Sequence, residues 1–170
     1  LTPGTLTLDV DVRHLRRLFK NYSLDHPDLE AFFNLFSDRA LAVDLYGILE
    51  AIRLDAFLHE ELPGLMKQAE AVRQEIFDAR PSLVSLSEKG ALVEALYQYY
   101  LGKKTKGVAP AVLRGMPGEL TSLSAGGGLE KTLEVLAGLS ERAGALPGSY
   151  EPVTPLVFLG RIRPEKVAHT

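Results

Sequence analysis

Glu50, Arg53 and Asp55 fall close together in LAVDLYGILEAIRLDAFLHEELPGL, residues 41–65. Two carboxylates beside a guanidinium could form a catalytic acid/base pair, or an ion-pair network tying one helix to its neighbours. At about 100° per residue, Leu29, Phe32, Phe36, Ala40, Val43, Gly47, Leu54 and Leu58 share one helical face. Glu50 and Asp55 lie in that sector and Arg53 at its edge. A carboxylate among apolar side chains must find a cation or hydrogen-bond donors, or change its protonation state. Arg53, at i+3 from Glu50, is the nearest partner, with Arg39 on the same flank. Structural ion pairs perturb carboxylates as readily as active sites do, so the network is the expected reading.

The rest of the chain offers those acids little to work with. His14, His26, His59 and His169 are too scattered for a metal-ligand spacing, and His59-Glu60 lacks the second histidine of a zinc-protease helix. His59 is therefore expected at the surface. Gly126-Gly127-Gly128 precedes a helix, where an anion could sit, but no phosphate-loop or dinucleotide fingerprint surrounds it, and a flexible linker is expected. There is no G-x-S-x-G elbow. With no cysteine, disulfides, thiolate metal sites and thiol nucleophiles are excluded. No metal, cofactor or catalytic residue is expected.

Arg13, Arg16, Arg17 and Lys20, at i, i+3, i+4 and i+7, form a basic stripe that could meet phosphates. No aromatic residues interleave with them. A solvated or docking face is the reading preferred over a small nucleic-acid-binding module.

The elements that must position these residues are helical. Asp9 to Tyr22 carries an apolar stripe of Val12, Leu15, Phe19 and Tyr22. Asp25 or His26 can cap a second helix with Pro27 at its first position. It runs to about Glu60 with one possible break, and Pro63 and Gly64 end it. Leu65 to Ala79 follows with Leu65, Ala69, Val72 and Ile76 in register, stopped at Arg80-Pro81. Ser87 can cap a helix that ends at Leu101 with Gly102 beyond it and shows Leu92, Val93, Leu96, Tyr97 and Tyr100 on its face. Residues 103–128 dissolve into Lys, Gly, Pro and Ser with a turn at Pro110–Arg114, and Leu129 to Ala143 is the last helix. The proline-rich remainder reads as extended, and no alternation is strong enough for a sheet.

The expected fold is thus all-α: a bundle of about five helices with an extended, Pro-rich C-terminal tail. The expected layout is a main helical domain over 1–102, a flexible linker over 103–128, and a C-terminal helix plus extended segment over 129–170 packed on the same domain. At 170 residues, 46% hydrophobic and 24% charged, the composition is that of a globular domain with a sizeable core. No apolar run approaches the roughly 20 residues needed to span a bilayer, and no secretory signal is present, so a cytoplasmic protein is expected. The net charge of −3 is unevenly spread, with fourteen acids against six bases in residues 23–94. Leu1 in place of methionine and the extended tail suggest a piece of a longer polypeptide.

Leu49-Glu50-Ala51-Ile52-Arg53-Leu54-Asp55 followed by Leu62-Pro63-Gly64-Leu65 resembles a motif of von Willebrand factor A domain proteins of the NorD/CbbO type. In that family a helix bearing a glutamate, an arginine and an acid precedes a Pro-Gly pair and another helix. The resemblance continues through Arg80-Pro81-Ser82-Leu83 and Leu92-Val93-Glu94-Ala95-Leu96 to Leu101-Gly102. It returns in Tyr150-Glu151-Pro152, Pro155, Phe158-Leu159-Gly160 and Arg163-Pro164-Glu165. At Ala51 the family usually has a second acid, and the von Willebrand A domain with its metal site is absent. The resemblance implies the helical region of a non-enzymatic adaptor that partners a MoxR-class AAA+ ATPase ring. The target would be Rubisco in the CbbO branch or nitric oxide reductase in the NorD branch. Glu50, Arg53, Asp55, Pro63 and Gly64 would organise the core and its helix junction, with Arg13, Arg16, Arg17 and Lys20 as a possible docking face.

Overall fold

A computed structural model describes residues 7–102, 104–156 and 159 of the chain. Its described residues form seven α-helices and no strand: α1 Val12–Leu18, α2 Leu29–Phe33, α3 Arg39–Glu61, α4 Pro63–Ala79, α5 Glu88–Gly102, α6 Met116–Ser124 and α7 Gly128–Gly144. Short 3₁₀ turns occupy Leu83–Ser85 and Ala111–Leu113. The fold is all-α. Lys103, His169, Phe158, Gly160, Arg163-Pro164-Glu165 and the rest of the expected tail beyond 159 lie outside the described residues.

Side-chain caps set several helix starts by satisfying amide N–H groups that have no carbonyl one turn earlier. The Asp11 carboxylate accepts from the Arg13 amide at 2.8 Å, Asp28 from Ala31 at 2.7 Å and Asp38 from Leu41 at 3.2 Å. The Ser87 hydroxyl, as expected, accepts from the Gly90 amide at 3.1 Å. The second helix departs from its expected start, because neither Asp25 nor His26 caps it and Pro27 precedes the cap. The Tyr22 hydroxyl donates to the His26 carbonyl at 2.9 Å and accepts from the Asp28 amide at 2.7 Å. That clamp leaves Asp28 as the residue whose carboxylate reaches the first turn.

The long second helix divides into α2 and α3 where Asp38 begins a new turn. Residues 34–38 are not helical, so the angular phase restarts at Arg39 and positions before and after the break do not share the expected face. Leu41, Leu45, Ile48, Leu49 and Ile52 point into the core, whereas Ala40, Leu54 and Leu58 are exposed. A second correction concerns α4. Its expected apolar stripe is only partly packed: Ile76 lies against the core, but Met66 and Phe77 are the buried residues, while Leu65 and Val72 are more than half exposed. Third, the segment 103–128 is more than a linker with a turn. It contains α6, whose Met116, Leu120 and Leu123 are buried and spaced i, i+4, i+7. Gly126 at φ +86° and Gly128 at φ +61° turn the chain tightly from α6 into α7, conformations that a side chain disfavours.

α3 is the hub, packing against α4, α5, α6 and α7. α5 is buried over most of its circumference, including Leu92, Val93, Leu96, Tyr97 and Tyr100. α7 contributes Leu133, Leu136 and Leu139, all sealed from solvent. At one end Phe32 meets Phe19, Phe33 and Phe36 edge-on at 5.1–5.3 Å, the favoured arrangement of aromatic quadrupoles. The segment after α7 is a non-helical strap held against the bundle, with Tyr150, Val153 and Leu156 buried.

Candidate functional site

The charged residues of α3 form two separate pairs. Glu50 accepts from Arg53 Nε and Nη2, both at 2.9 Å, in a two-pronged contact within the helix. The carboxylate bonds hold the Arg53 pKa above its ordinary value. Asp55, buried, instead accepts from Arg73 of α4, with the Nη1 bond at 3.2 Å and a closer one from Nη2. The Arg73 guanidinium lies 4.7 Å over the Tyr100 ring and donates to its hydroxyl at 3.3 Å, linking α3, α4 and α5. His59, at the surface as expected, brings its imidazole 3.6 Å from Asp55.

Five residues apart on one helix, Glu50 and Asp55 point about 140° apart, so they do not share the expected face. Asp55 is buried, Glu50 is only half-buried, and the two do not converge on a common cleft. Each carboxylate is occupied by a guanidinium fork, which leaves it poorly placed to take a proton from a substrate.

A second buried network escaped the sequence. Glu94 of α5 is fully sealed and accepts from Arg80 Nε at 2.9 Å, from Arg80 Nη2, and from Gln98 Nε2 at 2.8 Å. Arg80 also donates to the Thr154 carbonyl of the strap at 2.7 Å and lies 5.3 Å over Tyr97. Lys106 closes the arrangement, its ammonium donating to the Asp78 and Arg80 carbonyls at the end of α4 and its amide to Gln98 Oε1. The available signal was Glu94 with Gln98 at i+4 inside an otherwise apolar run; such pairs do not stay buried without a cation. A third polar tie holds the strap, with Tyr150 donating its hydroxyl proton to Asp44 Oδ2 at 2.6 Å and its amide to Asp38 Oδ2 at 3.3 Å.

Pro63 opens α4 at a position where its missing N–H costs nothing. Gly64 sits in the first turn of α4 with a negative φ and open space where a Cβ would go, so the backbone does not require glycine there. The junction is made at Leu62, which caps both helices.

Of the basic stripe, Arg13 pairs with Asp11 at 2.7 Å and holds that exposed carboxyl down to about 2. Arg16 pairs with Asp25 at 2.6 Å, and Arg17 meets His14 Nδ1. His14 is buried.

The exposed large apolar side chains concentrate on the α3–α4 hairpin: Leu54, Phe57, Leu58 and Leu62, then Leu65 and Val72. Phe57 is the most open of these, at 58% exposure. Beside it a groove of about 520 Å³ runs between Leu54 and Phe57 of α3 and the α6–α7 turn. Apolar clusters of this kind mark interaction surfaces rather than ordinary solvent-facing helix. A separate cleft of about 550 Å³ near Phe19 and Phe36 holds Lys89, whose ammonium lies 3.9 Å from Asp38.

Burial leaves a measurable pH signature in the first half of α3. Desolvation first, then the nearby Glu50 charge, pushes the Tyr46 phenol up to about 12, and burial with the bond to Asp44 raises Tyr150 as well. An unfolded tyrosine ionises near 10, so above that pH the folded chain holds protons the unfolded chain has lost. This contribution is fully present below pH about 10 and disappears as pH rises through the folded values. The urea midpoint is expected to fall between pH 10 and about 12, and Tyr46→Phe to flatten the fall. A midpoint constant across that window would contradict the assignment.

Among the described residues no helix is long and apolar enough to cross a membrane, and no three His, Asp or Glu side chains are grouped to hold a metal ion. Comparison with family models, curated proteins and solved structures finds no match to this chain.

Proposed function

We propose that the chain is the interaction module of a non-enzymatic adaptor that partners a MoxR-class AAA+ ATPase ring. The observation that carries this reading is the apolar surface of the α3–α4 hairpin, set on a rigid base by the Asp55–Arg73–Tyr100 tie. Six large apolar side chains left open to water on one hairpin favour contact with another protein. The resemblance of residues 35–102 and 148–166 to adaptors of the NorD/CbbO type supplies the class of partner. By the same resemblance the target served is Rubisco or nitric oxide reductase. The alternative, a nucleic-acid-binding module, draws less support, because Arg13 and Arg16 are already engaged by Asp11 and Asp25.

The test is co-purification of the chain with a MoxR-class ring. Wild-type chain is expected to be retained, to hydrolyse no ATP by itself, and to lose at least tenfold in affinity, about 1.4 kcal/mol, in the Phe57→Ser/Leu65→Ser double variant. Failure of the wild-type chain to bind any such ring would overturn the adaptor reading. Full retention by the double variant would remove the hairpin surface as its site.

A further inference from the structure

Two faces of α4 carry apolar residues, and the fold buries only one of them; of the other, Ile76 alone packs against the core. Met66 and Phe77 pack inward, in line with Arg73 and Arg80, which reach the buried carboxylates. Leu65, Ala69, Val72 and Ile76, about a quarter-turn away, form a second stripe whose Leu65 and Val72 lie open to solvent. Across the junction at Leu62, the outer side of α3 continues it with Leu58 and Phe57 and leads into the groove at the α6–α7 turn. A stripe at i, i+4, i+7 and i+11 beside an apolar groove is the complement of another helix with apolar anchors.

The charge around it decides what kind of helix. Arg53 and Arg73 are neutralised by Glu50 and Asp55. The exposed charged side chains of this stretch are then Glu60, Glu61, Glu70, Glu75 and Asp78 against Lys67, with His59 beside them. A second copy of the chain, docked on the same surface by a two-fold axis, would set these carboxylates against their own copies. An anionic lipid surface or a phosphate backbone meets the same repulsion.

Resting on the interaction-module reading, we propose that the α3–α4 surface receives an amphipathic helix whose apolar side is bordered by lysine or arginine. The apolar anchors sit along Phe57, Leu58 and Leu65, and the basic border faces Glu60, Glu61 and Glu75.

The probe is a fluorescent Leu/Lys amphipathic peptide of about 18 residues, with a Leu/Glu peptide of the same pattern as its counterpart. The Leu/Lys peptide is expected to bind at least tenfold more tightly than Leu/Glu, and to weaken as salt is raised. Phe57→Ser/Leu65→Ser, which leaves the net charge unchanged, should lower that binding at least tenfold. Glu60→Lys/Glu61→Lys should reverse the preference between the peptides. Far-UV circular dichroism confirms that both variants keep their helices; all four positions are exposed.

Equal affinity for the two peptides, a preference indifferent to the charge reversal, or no binding of either would overturn the proposal. So would sedimentation showing a dimer that Phe57→Ser dissolves, which would make a second copy the occupant. If a MoxR-class ring binds through Phe57 and Leu65 but the Leu/Lys peptide does not compete with it, the adaptor reading stands and the basic-helix occupant falls. If neither ring nor peptide binds, both fall.

Discussion

Arg80→Ala is expected to destabilise the protein by about 3–5 kcal/mol at pH 7, the range for breaking a buried ion pair from one side. Glu94 has no exposed surface, and apart from Arg80 its carboxylate receives a bond only from Gln98 among the contacts described. Without the guanidinium the group has two options. It can remain ionised in apolar surroundings, or it can take up a proton. For a glutamate that ionises near 4.3 when unfolded, the second option costs about 3.7 kcal/mol at pH 7. Loss of the bond to Thr154 and of the contact with the Tyr97 face adds to either route.

The protonation route also fixes a sign. Its cost shrinks as pH approaches the unfolded value, so the deficit of Arg80→Ala should be smaller at pH 5 than at pH 7. Replacing both partners by apolar residues, Arg80→Met with Glu94→Leu, should recover most of the loss, because no buried charge is then left unpaired. Urea denaturation with linear extrapolation measures all three quantities. A deficit below about 1 kcal/mol, or a double variant as unstable as the single one, would show that the pair is not the tie described here.

The helices that were legible in the sequence are those whose ends carry local chemistry. Ser87 caps α5, which runs one residue past its expected end to include Gly102, and Arg80 before Pro81 leaves the helical region with ψ at 147° as its neighbour requires. The three errors have different physical causes. Periodicity on α4 showed a true apolar stripe, but it cannot say which of two stripes meets the core, and Arg73 and Arg80 disguised the buried side as polar. In α6, Pro117 and the flanking glycines counted as breakers. They stand at its second position, before its start and after its end, where such residues punctuate a helix. The one break expected in the second helix is present, but the face drawn across it fails because the phase restarts at the Asp38 cap, and a lone aspartate in a helical pattern does not mark that point.

The candidate site was half visible for the same reason. Glu50 and Arg53 are neighbours on one helix turn, so spacing alone finds the pair. Asp55–Arg73 and Glu94–Arg80 join residues on different helices, and only the packing of α4 against α3 and α5 brings them together. Asp55 was singled out as an acid on a buried side, and its cation came from the next helix.

Arg73→Ala and Asp55→Ala are expected to differ in size although they break one ion pair. Removing Asp55 leaves the Arg73 cation stacked on Tyr100, with a long apolar stem and a side chain still 15% exposed, so its head can shift toward water. That variant should cost about 2–3 kcal/mol, below the range for a fully sealed pair. Removing Arg73 instead leaves a short carboxylate on α3 that is 5% exposed and cannot reach solvent. Its neighbour is then the His59 imidazole at 3.6 Å, which is a cation only when protonated. Arg73→Ala should therefore cost about 3–4 kcal/mol at pH 7. The pair joins α3 to α4, so the loss should appear first as separation of that hairpin. Amide exchange along α4 is expected to accelerate about a hundredfold, the factor that corresponds to nearly 3 kcal/mol of local opening, while α7 stays protected. Equal acceleration in α4 and α7 would mean that the pair supports the whole bundle and not the hairpin alone. Local opening would disorder the surface formed by Phe57, Leu58 and Leu65. Either variant should then lose binding to a partner under conditions where circular dichroism still reports a folded chain, which makes the buried pair a positioning element for the exposed surface.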